Sequence, residues 1–199
     1  MYDNNYFDYL YTKSLSLNTG EIQASGKKLY ELIAKNFFEE GVNHYGGHAT
    51  MTTGPYEKYN VLMYPYPQIH ELYGDIRAFF HEVANPSEPY FIQAWLNVYQ
   101  KREFIRWHRH WPAGLNVWHG FYCADVETEP SHTEYKFPLM NQTTTIASKN
   151  NLLVMGKSDN DRHRSSEWNS DRPRVTIAFD IVPARHINPS NNLNHWIPI

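Results

Sequence analysis

The sequence predicts an α+β domain: helices first, then a β-sandwich or barrel. Three observations carry this. Two segments before residue 90 have helical periodicity. From residue 90 on, strand-like runs follow one another with turn signals between them. Aromatic residues make up 16% of the chain, which suits a well-filled β core. The length of 199 residues fits a single domain, 1–199. Within it we expect an N-terminal arm with supporting helices over 1–89, the β core over 90–183, and a C-terminal tail over 184–199.

The opening residues, to about 24, carry Tyr, Phe and Leu at mixed spacing and read as an irregular arm or a first strand. In "GKKLYELIAKNFFEEG" (26–41), Leu29, Leu32, Ile33 and Phe37 recur at helical spacing and Gly41 is a stop signal. Turn signals fill 42–65. "PQIHELYGDIRAFFHEV" (67–83) is a second helix, with Ile69, Leu72, Ile76, Phe79, Phe80 and Val83 as its apolar stripe, although Gly74 weakens it. Strands are then expected over 90–100, 103–111, 115–126, 133–138, 142–148, 151–156 and 174–183, each rich in aromatic, β-branched or alternating residues. The Asn- and Pro-rich tail is expected to lie over the surface, and no internal repeat is evident.

Composition narrows the function. The formal charge of −3 and the lack of a long basic run argue against nucleic acid as a partner; "RHRSSEWNSDRPR" is broken by acids and Pro. No stretch approaches the length of a membrane span, and the first thirty residues lack the apolar region of a signal peptide. The single cysteine, Cys123, permits no internal disulfide. A cytoplasmic protein is therefore expected (in the host cell if phage-encoded). The aromatic arm raises a homodimer contact as a further expectation.

The chemistry concentrates in "IRWHRHWPAG". On a strand, His108 and His110 would project to one face with Arg109 facing away, giving half of a transition-metal site. A third ligand is expected from His163. Arg174 and Thr176 again share one strand face, and an Arg beside a hydroxyl suits a carboxylate. Taken singly, each feature also fits a surface pair or a rim ion pair with Asp171 or Asp180.

The order HxH, distal His, Arg-x-Thr resembles the iron(II)/2-oxoglutarate-dependent oxygenases, which use HxD or HxE, a distal His and Arg-x-Ser. It is most similar to their small phage and marine-bacterial branch with an HxH motif. The match runs over "AWLNV" (94–98), "WHRHW" (107–111), "HGFYCADV" (119–126), "LLVMGKSDNDRH" (152–163) and "RVTIAFDI" (174–181). The resemblance implies a double-stranded β-helix (jelly-roll, cupin-like) core with N-terminal helices packed on it. It implies Fe(II) on His108, His110 and His163, and 2-oxoglutarate as co-substrate on Arg174 and Thr176 with help from Tyr122 and Asn97. It further implies hydroxylation of an unactivated C–H in an unknown small-molecule or peptide substrate, a prolyl peptide among the options.

One position departs from the family: His110 stands where a carboxylate is usual. Either His110 ligates, or it leaves its slot to water or an anion, or an acid enters from elsewhere, with Asp159, Asp161 and Asp125 as candidates. His119 reads as a surface or rim histidine. Trp107, Trp111, Trp118 and Trp168 read as core, or as an aromatic rim, and the loops 43–66 and 157–172 as lids. Two other functions compete. One is a cupin-like three-histidine metalloprotein that uses no 2-oxoglutarate, although the Glu usual after a cupin HxH is missing. The other is a non-catalytic binding or structural module.

Overall fold

The computed structural model describes residues 1–18, 20–22, 60–126, 130–188 and 196–199. The helix expected over 26–41 and most of the 43–66 loop lie outside them. The opening segment supplies two strands, β1 (Asn4–Tyr6) and β2 (Leu10–Ser14), paired as a hairpin. The expected second helix is α1 (Pro67–Ala84). Pro67 starts it, and Asn85 ends it in the left-handed region at φ 43. Eight more strands follow: β3 (Tyr90–Tyr99), β4 (Trp118–Asp125), β5 (His132–Phe137), β6 (Gln142–Ala147), β7 (Leu152–Lys157), β8 (Arg162–Ser165), β9 (Arg174–Pro183) and β10 (Ile197–Pro198).

Among the described residues all pairings are antiparallel and form two sheets. The larger runs β1-β2-β7-β4-β9-β3-β10, the smaller β6-β5-β8. Among the described residues this is a mostly β architecture with few helices. The tail is not wholly superficial, because Ile197 pairs with Ile92 as an edge strand.

Period-two alternation divides the large sheet into two chemically different faces. Ile92, Ala94, Leu96 and Val98 of β3, Trp118 and Tyr122 of β4, and Ile177, Phe179 and Ile181 of β9 join one apolar cluster with Ile69, Leu72, Ile76, Phe79 and Phe80 of α1. The opposite face carries Trp95, Asn97, His119, Arg174, Thr176 and Asp180. With His163 and Ser165 of β8, these line a cavity of about 450 Å³. Gly120 is required by close approach: an added Cβ would stand 2.1 Å from the Val154 carbonyl oxygen and 2.6 Å from the Phe179 ring.

Two expectations need correction. Residues 103–111 form no regular strand; they meet β8 of the small sheet at an isolated bridge, His108 to His163, and where the Ser165 N–H donates to the Ile105 carbonyl oxygen. Their alternation is genuine, but their backbone bonds are partly diverted. Arg102 takes φ 70, and the N–H groups of Ile105 and Trp111 donate to the hydroxyls of Ser165 and Ser158. Conversely, 157–172 is not all loop, since it contains β8. That strand lacks large apolar residues because its inward side chains, His163 and Ser165, face a polar cavity.

Candidate metal centre

His108, His110 and His163 come together, with ligand atoms within 4.8 Å of one another. Each has Nδ1 beside an acceptor. His108 Nδ1 lies 2.8 Å from the Arg106 carbonyl oxygen, and His110 Nδ1 lies 2.6 Å from Asp180 Oδ1. His163 Nδ1 is 3.4 Å from Asp161 Oδ2, without the alignment of a hydrogen bond. An acceptor at Nδ1 places the ring proton there and leaves Nε2 as a lone pair. The Nε2 atoms of His108 and His110 then face each other at 3.3 Å. Two lone pairs at that distance repel unless a cation lies between them. The donor set therefore fits a divalent metal held by neutral imidazoles.

The electrostatics agree with that fit. Burial, then the neighbouring His110, pushes the His108 pKa down to about 4. Burial, then His108, holds His163 well below the usual imidazole range. Burial opposes ionisation of Asp161, but His119 and His163 outweigh it and keep the carboxyl below its ordinary value. In Asp180 the same penalty is outweighed by His110 and Trp111. Asp180 is fixed by Trp111, whose Nε1 donates to its Oδ2 at 2.9 Å. Two carboxylates thus stand behind the histidines, where they can balance the charge of a dication that has no carboxylate ligand of its own.

His119 is also here, which its sequence context did not suggest. It is buried, its ring stacks on His163 with centroids 4.8 Å apart, and its Nε2 is 3.0 Å from Asp161 Oδ2. His119, Asp161 and His163 form a second set with ligand-like spacing. The available signal was parity: His119 shares its strand face with Phe121, which also lines the cavity. Of the other acids considered, Asp159 accepts from Tyr9 and Gly114, and Asp125 pairs with Arg172.

Arg174 and Thr176 line the same cavity. Arg174 is 1% exposed. Its Nη2 donates to Ser148 and its guanidinium lies over the Tyr99 ring, but Nε and Nη1 have no hydrogen-bond partner. Asn97 lines the cavity too, with its Oδ1 unpartnered. Tyr122 does not reach this side. It lies on the α1 face of β4 and its hydroxyl donates to Asn151 Oδ1 at 2.6 Å, because one residue's shift along a strand reverses the face. Among the tryptophans, Trp118 and Trp168 are buried and Trp107 lies beneath Lys136 and Arg164. Trp95 stacks on His110.

No protein-family model and no curated protein matches the chain. Solved structures do. The non-heme alpha ketoglutarate dependent carbocyclase SnoK from nogalamycin biosynthesis superposes with a TM-score of 0.66 at 12% identity, covering 96% of this chain and 91% of SnoK. AviO1 from Streptomyces viridochromogenes Tue57 gives 0.62 at 13% identity, covering 92% of each chain. A Pseudomonas putida prolyl-4-hydroxylase gives 0.57 at 10%, covering 88% of this chain and 92% of the hydroxylase. Over nearly its whole length, the chain shares the fold of these proteins.

Proposed function

We propose that the protein is an iron(II)- and 2-oxoglutarate-dependent oxygenase on a double-stranded β-helix, hydroxylating an unactivated C–H bond of a small molecule or peptide. The observation that carries this reading is Arg174. A guanidinium buried with two unpartnered N–H groups is costly, and it opens onto the cavity that gathers the histidines. A carboxylate in the cavity would satisfy Nη1 by a charge-assisted bond, with its second oxygen bridging to Nη2 beside it. The neighbours SnoK and the prolyl-4-hydroxylase support the class through their shared fold.

In this reading His108, His110 and His163 hold the metal through Nε2. The Arg106 carbonyl and Asp180 hold His108 and His110 in the required tautomer and orientation, and the Asp161 carboxylate stands beside His163. Arg174 grips the distal carboxylate of the 2-oxo acid, and Thr176 and Asn97 add polar contacts beside it. Trp95, Ile105 and Phe121 give the cavity an apolar wall that excludes water. Bound together, the ferrous ion and the 2-oxo acid supply oxidation of a C–H bond by molecular oxygen, chemistry that no side chain provides.

Thermal stabilisation of the metal-free protein separates the readings. A rise that needs both Fe(II) and 2-oxoglutarate supports the oxygenase. A rise with metal alone supports a cupin-like three-histidine protein, and no rise with either supports a non-catalytic module.

A further inference from the structure

Next to the histidine cavity lies a second hollow of about 440 Å³, lined by Arg109, Pro138, Asn160 and Arg162. Arg109 lines both spaces and stands between His108 and His110 in the chain. Its Nη1 donates to Asn160 Oδ1 at 3.1 Å, which fixes the guanidinium and leaves the Asn160 amide N–H groups free to donate. Arg106, also exposed, lines the mouth of the main cavity. Among the described residues, no carboxylate pairs with Arg106, Arg109 or Arg162. The acids nearby are otherwise engaged, Asp180 with His110 and Trp111, and Glu134 with Arg164. Arg162 also stands directly across from Lys136 in the β5–β8 ladder, a like-charge pairing that costs stability. In a chain of formal charge −3, this edge concentrates positive charge beside the histidine cavity.

From this arrangement we infer that the substrate carries a phosphate group, held on Arg109, Arg162 and the Asn160 amide, while its reacting carbon reaches the histidine cluster. Two guanidiniums and an amide around one hollow match a group of about two negative charges with three acceptor oxygens. A single carboxylate would use half of them. Arg109 positions the substrate and takes no part in bond making. The inference deepens the oxygenase reading and rests on it for the fate of the substrate, but the anion site can be tested without turnover.

The probes are phenyl phosphate, benzoate and phenol, titrated by calorimetry into chelator-treated full-length protein. Phenyl phosphate is expected to bind at least tenfold more tightly than benzoate, and phenol not measurably. Arg109→Gln/Arg162→Gln should weaken phenyl phosphate by at least tenfold with a melting temperature no lower than that of the native chain. Arg174→Ala should leave it within twofold while abolishing 2-oxoglutarate binding to the Fe(II)-loaded protein. That last arm separates the two claims, since loss of 2-oxoglutarate binding bears on the oxygenase reading alone. Equal binding by the Arg109/Arg162 variant would overturn the inference. So would loss of phenyl phosphate in Arg174→Ala, which would put the anion on Arg174. Tighter binding of a short single-stranded oligonucleotide that phenyl phosphate fails to displace would overturn it in favour of a nucleic-acid surface.

Discussion

Replacing Arg174 by Met should stabilise the ligand-free protein and destroy its affinity for 2-oxoglutarate. The site is fully buried, and Met fills much of the same volume without charge. Removing two unpartnered buried donors recovers roughly 1–3 kcal/mol each. Against this stand the lost bond to Ser148, about 1.5–3 kcal/mol, and the cation–π contact with Tyr99, about 0.5–2 kcal/mol. Taken at their midpoints the terms favour Met by about 0.5 kcal/mol, or a rise of roughly 1–2 °C in Tm for a domain of this size. Binding should suffer far more. Two charge-assisted bonds of about 1.5–3 kcal/mol each correspond to roughly a hundredfold to ten-thousandfold loss of affinity. Urea denaturation and calorimetry read the two effects separately. A variant destabilised by several kcal/mol that still binds 2-oxoglutarate normally would make Arg174 a structural residue and remove it from the binding site.

Other outcomes follow from the same geometry. Asp180→Asn should weaken metal binding by about tenfold to a hundredfold through the orientation of His110, with the fold intact by circular dichroism; unchanged affinity would remove Asp180 from the site. The metal-free protein should lose stability as pH falls from about 6.5 to about 4. In that window the unfolded chain takes up protons on His108 and His163 that the folded chain refuses, and above it the contribution is complete. A urea midpoint that stays flat from pH 7 to 4 would contradict this. Gly120→Ala should cost about 3 kcal/mol, since the Val154 carbonyl cannot retreat without breaking β7 from β4; a loss below 1 kcal/mol would show that the sheet can yield there.

Much of this was legible in the sequence. Periodicity located α1 and β3, and the i, i+2 rule placed Arg174 and Thr176 on one face. What escaped depended on contacts that sequence spacing does not encode. From its local sequence His119 reads as a rim residue, whereas its partners, Asp161 and His163, come from the β7–β8 turn and from β8. β8 itself was hidden, because polar residues lining a polar cavity do not show the apolar signature of a strand. The parity of Tyr122 was readable in principle, since Tyr122 and Trp118 share one face of β4 and His119 and Phe121 the other. His108 and His110 did project to one cavity, though from an irregular segment held by side-chain bonds in place of a regular strand.

The most direct test of the central claim is an anaerobic titration of 2-oxoglutarate into the Fe(II)-loaded protein, followed by visible absorption. A chelated 2-oxo acid gives a weak charge-transfer band. The native chain should give a saturable band, and Arg174→Met one that needs at least a hundredfold more 2-oxoglutarate. Iron bound with no band at any concentration, or the same titration curve in Arg174→Met, would contradict that claim.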